Sequence, residues 1–221
     1  MSPNYKFITL NDKLVGYIDA HRSDAGDPLL RELHMETQKM GDISRMQISG
    51  DQGALLSVTV AAMSAKTCVE IGTFTGYSSL CIARSLPDGG KLHCFDVSDE
   101  YTQTARKYWK KAGLDKKIEL HLGPAQETLA THCPGEIDFA FIDADKGGYD
   151  FYYEFLLSRM RPNGLILFDN MLWSGAVVDA EKSDESTRAI RALNDKLTND
   201  ARIESVLIPV ADGIHICRKK A

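Results

Sequence analysis

The sequence predicts an α/β fold: a seven-stranded, mostly parallel sheet with helices on both faces, closed by an antiparallel C-terminal hairpin and preceded by an N-terminal helical extension. Three observations carry this expectation. From Thr67 onward, short apolar runs alternate strictly with segments of helical period, which requires crossover connections and hence a parallel sheet covered on both faces. After Asn199 the style changes, and two apolar runs are separated only by a turn containing Asp212 and Gly213, the pattern of a hairpin. Before residue 65 the spacing is helical throughout. A length of 221 residues suits one domain of this class, with residues 1–64 as the extension and 65–221 as the α/β core.

The elements follow in order. Leu10, Leu14, Tyr17 and Ile18 recur at i, i+4, i+7 and i+8, which predicts a helix over residues 7–18. Pro28 suits a first helical turn and opens a second helix, 28–40. After the linker MQISGDQG, residues 54–63 form a third. Strands are expected at 67–71, 91–96, 118–122, 137–142 and 165–168, apolar enough to be buried on both faces. Helices at 77–85, 99–112, 125–132, 149–159 and 184–199 follow them. Residues 202–209 and 214–218 supply the hairpin.

Composition narrows the function classes. With 43% apolar and 26% charged residues, the chain is neither disordered nor membrane-spanning, since no apolar run approaches the roughly 18 residues a spanning helix needs. The start, MSPNYKFITLNDK, has no continuous apolar core, so no signal peptide is read and a cytoplasmic location is expected. Five cysteines, scattered and odd in number, read as free and buried. The six histidines at 21, 34, 93, 121, 132 and 215 form no local metal-binding pair, so histidine-based metal or triad chemistry is not expected. A net charge of −5 argues against general nucleic-acid affinity, although Arg106, Lys107, Lys110, Lys111, Lys116 and Lys117 cluster around Tyr108 and Trp109.

The chemistry-bearing residues lie at strand ends. After the first strand, Glu70, Gly72, Gly76 and Ser78 form an E-x-G-x-x-x-G turn into a helix, which is not the G-x-G-x-x-G of a pyrophosphate site. A carboxylate there would repel phosphates and attract an ammonium or sulfonium. Asp96 ends the second strand, where an acid accepts hydrogen bonds from ribose hydroxyls. Glu70, Gly72, Ser78 and Asp96 together suit a nucleoside with a cationic tail, and S-adenosylmethionine fits. The run FAFIDADK ends in Asp143, Asp145 and Lys146, and the next ends in Asp169 and Asn170. Asp143, Asp169 and Asn170 offer oxygen donors alone, suited to Mg²⁺, Mn²⁺ or Ca²⁺. Lys146 stands close by, where it could pair with Asp143 or Asp145.

The motifs VEIGTFTGYSS, FDVSDEY, GPAQETL, FIDADKGGY and FDNMLWSG, in this order and spacing, resemble those of the cation-dependent O-methyltransferases of the caffeoyl-CoA and catechol type, over nearly the whole chain. The resemblance implies a Rossmann-like methyltransferase fold, S-adenosylmethionine as cofactor, a divalent cation on Asp143, Asp169 and Asn170, and Lys146 as base. It also implies cofactor contacts from Ile48, Gly72, Thr73, Ala125, Asp143, Asp145 and Tyr152, and a substrate wall including Trp173 and Ser174, with Lys6 at a substrate-contacting position. Plant members carry asparagine where this chain has Ser174. A homodimer acting on a small hydroxylated aromatic molecule is the implied assembly and partner. The alternatives are methylation of hydroxylated uridine in tRNA through the basic cluster and, from other classes, a nicotinamide-dependent oxidoreductase or a non-catalytic binding module.

Overall fold

The computed structural model describes residues 8–221; Lys6 lies outside them. Strands β1 (Thr67–Ile71), β2 (Lys91–Asp96), β3 (Ile118–Leu122), β4 (Ile137–Ile142), β5 (Met160–Phe168), β6 (Ile203–Ile208) and β7 (Ile214–Lys219) form one sheet in the order β3-β2-β1-β4-β5-β7-β6. Pairing from β3 through β5 is parallel, and β7 is antiparallel to both β5 and β6. The chain winds outward from β1 in one direction and from β4 in the other. Between β1 and β4 the winding reverses, and the crevice beyond their carboxyl ends is where such sheets bind ligands.

Alternating residues of the strands face opposite layers. Cys68, Phe139, Phe141 and Leu167 pack on one side with helices α2 (Pro28–Gln38), α3 (Gly50–Met63), α4 (Tyr77–Ser85) and α5 (Asp99–Lys111). Val69, Ile71, Ala140, Ile142 and Phe168 pack on the other with α6 (Ala125–His132), α7 (Tyr149–Arg159) and α8 (Glu185–Asn199). The amino-terminal helices are not all peripheral: Leu33, Leu56 and Val60 are buried in the first layer. Four of the cysteines are buried, Cys133 is half-buried, and all are free.

Most expected elements form within a residue or two, and the departures have local causes. The first helix, α1, is Asp12–Ala20; it begins late because the Asn11 side chain accepts from the Leu14 N–H, capping it there. The supposed linker MQISGDQG is half helix. Gln52 Oε1 accepts from the Ser49 N–H at 2.9 Å, so α3 starts at Gly50. β5 begins earlier than expected, at Met160, across a register shift opposite Ile137 and Phe139 that accommodates the Pro162–Gly164 stretch.

Candidate active site

The parallel ladder continues one residue past each strand and so aligns the site. Gly72 N–H donates to Phe95 O at 2.9 Å, Asp143 N–H to Ile71 O at 2.8 Å, and Asp169 N–H to Ile142 O at 3.0 Å. Above these ends lies a cavity of about 1110 Å³. It is lined by Ile48, Gly72, Thr73, Ser78, Asp96 and Ala125 at one end and by Asp143, Asp169, Asn170, Trp173 and Ser174 at the other. Asp145, Lys146 and Tyr152 also face it. Such a volume exceeds what one drug-sized ligand needs, and accommodates a nucleoside cofactor beside a small acceptor.

At the acidic end, Lys146 Nζ donates to Asp143 Oδ1 at 3.2 Å, to Asn170 Oδ1 at 2.7 Å and to Tyr149 Oη at 2.6 Å. Both sequence readings of Lys146 therefore meet here: it is ion-paired, and it stands at the oxygen cluster. Asn170 sits at φ 58°, a left-handed conformation that asparagine tolerates better than most residues, so it makes a turn and presents an oxygen at once. Burial raises the Asp143 carboxyl above its ordinary value, against the opposing pull of Lys146. Asp169 is pushed up to about 7, by burial first and by the Asp143 charge second. Carboxyls so placed are short of positive charge.

One residue here escaped the sequence reading. Gln52 Nε2 donates to Asp169 Oδ1 at 2.7 Å, a buried contact, while its Oε1 holds the start of α3. The signal was available in the S-x-x-Q spacing of Ser49 and Gln52, a capping box. Asp212 also escaped: it accepts from the Ser174 N–H at 2.7 Å and lines the cavity from the β6–β7 turn. That contact steadies Trp173 and Ser174, which lie at φ 48° and 52°. The Trp173 ring stands with its centroid 5.7 Å from Lys146 Nζ.

At the other end, Gly72 has φ +90°, and a Cβ there would lie 1.9 Å from the Asp143 carbonyl oxygen. Only glycine fits, because β1 and β4 approach so closely at the switch point. Asp96 Oδ2 accepts from the Thr73 and Phe74 N–H groups, each at 2.8 Å, and Oδ1 from Ser98 N–H at 2.8 Å. The acid thus locks the glycine-bearing turn and keeps only part of its acceptor capacity for a ligand. Tyr152 Oη donates to Asp145 Oδ1 at 2.6 Å, fixing both side chains at the rim.

Glu70 departs from expectation. It is fully buried and does not line the cavity; it lies behind the Gly72 turn. Its Oε2 accepts from Cys94 Sγ at 3.3 Å, whereas its Oε1, like the Thr73 hydroxyl, has no hydrogen-bond partner among the described residues. Burial pushes its carboxyl up to about 7, against the moderating effect of Ser78, Cys94 and Thr73. The reason is geometric: Glu70 pairs with Phe141 in the β1–β4 register, one residue short of the strand end.

Half of the six-residue basic cluster is ion-paired. Arg106 pairs with Asp99, Lys107 with Glu36 and Lys111 with Glu32, while Tyr108 and Trp109 are buried and present no ring to a nucleic-acid base. Among the described residues, no helix is long and apolar enough to cross a membrane.

A sheet of this order, with its cavity over the β1–β4 switch point and an acid at the end of β2, is the architecture of a Rossmann-like methyltransferase. Comparison with known proteins agrees. The family profile described as O-methyltransferase matches residues 20–220. A Dictyostelium discoideum protein named probable caffeoyl-CoA O-methyltransferase 2 is 41% identical over 96% of this chain and 94% of its own length. Among solved structures, the O-methyltransferase TomG from Streptomyces achromogenes, in complex with SAM, superimposes with a TM-score of 0.84 at 25% identity, over 96% of this chain and 97% of that one. The SAH-bound Podospora anserina methyltransferase PaMTH1 gives 0.86 at 26% identity, over 98% and 100%. The chain belongs to the O-methyltransferase family and is an S-adenosylmethionine-dependent O-methyltransferase of the caffeoyl-CoA type. Membership sets aside the nicotinamide-dependent oxidoreductase.

Proposed function

We propose that the chain methylates one hydroxyl of a vicinal pair on an aromatic small molecule, or on its CoA ester, and that it does so with a divalent cation. The observation that carries this reading is the convergence of Asp143, Asp169, Asn170 and Lys146 at one end of a cavity whose other end has the Gly72 turn and Asp96. The name borne by the Dictyostelium relative supports the CoA-ester arm.

The residues present fit both absent groups. A lysine side chain already stands among the oxygen donors as a monovalent cation would, and the two carboxyls there are raised, by burial first and at Asp169 also by the Asp143 charge. The donor set is all oxygen, as a hard cation requires. For the cofactor, the glycine cradle at Gly72, where no side chain fits, lets a ligand approach the backbone beside Asp96 at the carboxyl ends of β1 and β2.

Asp143, Asp169 and Asn170 would hold the ion, which when bound acts as a Lewis acid on a coordinated hydroxyl. S-adenosylmethionine would supply the methyl group for direct displacement at carbon. Gln52 keeps one Asp169 oxygen oriented, a supporting contact that tunes such sites. Lys146, which donates to Tyr149 Oη at 2.6 Å, would take the hydroxyl proton as the neutral amine, the form that a neighbouring dication favours. Trp173 walls the acceptor space and excludes water. Asp96, by fixing the Thr73–Phe74 backbone, positions the turn against which the cofactor would lie.

The experiment is a methyl-transfer screen of vicinal diols, hydroxycinnamoyl-CoA esters and tRNA, each with and without chelator. Turnover of diols or CoA esters that chelator abolishes is the expected result. Full turnover in excess chelator, or turnover of tRNA alone, would overturn the reading.

A further inference from the structure

Away from the cavity, on the α6-covered side of the sheet, the pairing of β2 with β3 brings together residues that are far apart in sequence. His93 is the register partner of Glu119, and Phe95 that of His121. Glu119 and His121, two residues apart on β3, share the sheet face onto which His93 projects. The ligand atoms of His93, Glu119 and His121 all lie within 4.8 Å of one another. We propose that these three side chains form a second metal site, separate from the oxygen cluster and suited to a borderline transition ion, Zn²⁺ above all.

The distances support this assignment. His93 Nδ1 and His121 Nε2 are 3.4 Å apart, and His93 Nδ1 and Glu119 Oε2 are 3.6 Å apart. In a tetrahedral site with metal–ligand bonds of about 2.0–2.1 Å, ligands stand about 3.3–3.4 Å from each other. Two of the three edges of such a ligand triangle are therefore close to formed, and 3.4 Å is long for a direct N–H···N hydrogen bond. The remaining edge would close by rotation of the Glu119 carboxylate, whose side chain is 47% exposed. The outward side leaves a fourth position to water.

The surroundings agree with the chemistry. Burial lowers both His93 and His121 below the usual histidine range, with His132 and His93 adding to the effect at His121. Each ring is then neutral at pH 7 and offers a lone pair without first losing a proton. The two rings lie within 5° of parallel. His121 is further fixed between Phe95 and His132, at centroid distances of 4.8 and 4.6 Å. Lys91 holds only Glu119 Oε1, at 3.1 Å, and leaves Oε2 toward His93. Two imidazoles and one carboxylate favour Zn²⁺, whereas the cluster at Asp143 favours a hard ion, so the two sites would sort metals by donor type. An ion here would join β2 to β3, which forms the sheet's edge.

The site is tested by titrating Zn²⁺ into the full-length Asp169→Ala variant, where the oxygen cluster is already crippled, in competition with a chromophoric chelator. One equivalent is expected to bind, and His93→Gln or His121→Gln in that background should weaken it at least tenfold. The unmodified protein provides a check that survives any folding failure: long-range ¹H–¹⁵N spectra of the imidazoles. One equivalent of Zn²⁺ should shift His93 Nδ1 and His121 Nε2, and Mg²⁺ should not. Unmoved ring nitrogens, or undiminished affinity in both glutamine variants, would overturn the proposal.

Discussion

Replacing Gly72 by alanine tests the geometry on which both ends of the cavity depend. The new Cβ would stand 1.9 Å from the Asp143 carbonyl oxygen and 2.7 Å from its carbon, where ordinary contact begins at 3.4 Å. Both obstacles are backbone, so the strand ends must part by about 1.5 Å. That movement breaks the 2.8 Å bond from Asp143 N–H to Ile71 O. Alanine at φ +90° adds about 1–2 kcal/mol of strain. The lost bond adds about 1 kcal/mol and the crowding about 1–3 kcal/mol. Reduced freedom of the unfolded chain returns roughly 0.5–1 kcal/mol, leaving a net loss of about 2–5.5 kcal/mol. Gly89→Ala is the control, since Gly89 has φ +76° but nothing within 4 Å of its would-be Cβ; it should lose about 1 kcal/mol. Equilibrium urea unfolding measures both, and calorimetry with S-adenosylhomocysteine should find weakened binding in Gly72→Ala alone. If the two variants differ by less than about 1 kcal/mol and bind alike, the close approach of β1 to β4 does not control the site.

Three further outcomes are expected. Asp169→Ala should abolish cation-dependent turnover while calorimetry finds cofactor affinity largely intact. Gln52→Ala should raise the cation concentration for half-maximal activity about tenfold or more, with little change in cofactor affinity, because it removes one of the two hydrogen bonds on Asp169 Oδ1, the other coming from the Asn170 N–H at 2.6 Å; rescue by Gln52→Glu is not expected, since a carboxylate cannot donate. Glu70 is raised in the folded protein, so its contribution to stability is fully present below its unfolded value near 4.5 and is lost as pH rises through about 7. Glu70→Gln should therefore stabilise the cofactor-free protein at pH 8 by about 3 kcal/mol and reduce the pH slope of stability by one proton; an unchanged slope would refute the assignment.

The sequence made the periodic parts of the fold legible because strands buried on both faces and helices buried on one leave opposite signatures. The positions of Asp143, Asp169 and Asn170 were legible for a related reason: polar residues that end apolar runs lie at strand ends, and the ends of neighbouring parallel strands converge. What stayed hidden depends on register. Glu70 looked like a cavity residue until pairing with Phe141 placed it one step inside the sheet. Gln52 looked like linker, although its hydrogen bonds reach Ser49 on one side and Asp169 on the other. His93 and His121 form no local motif, and only the β2–β3 ladder makes them neighbours. Asp96 was read as a ribose acceptor; its bonds to Thr73 and Phe74 N–H make it equally the clasp of the turn.

Lys146 is where these strands of reasoning can be separated, because its two roles predict opposite effects of one substitution. As a proton acceptor it is needed for turnover; as an ammonium bridging Asp143 and Asn170 it competes with a divalent ion for the same oxygens. Lys146→Met keeps much of the volume beside Tyr149 and Trp173 and removes the charge. Turnover should fall by about 10²–10⁴-fold, the usual contribution of a general base. Cation affinity should rise, since one positive charge about 4 Å from a dication opposes it by about 2 kcal/mol even at the dielectric of water. Without any ion, the variant should be less stable than the parent at pH 8, where the Asp143 and Asp169 carboxyls would face each other without the ammonium. Manganese binding followed by electron paramagnetic resonance, together with urea unfolding in chelator, reads both effects. Weakened manganese binding would mean that Lys146 supports the ion's site instead of occupying it, and retained turnover would remove it from proton transfer.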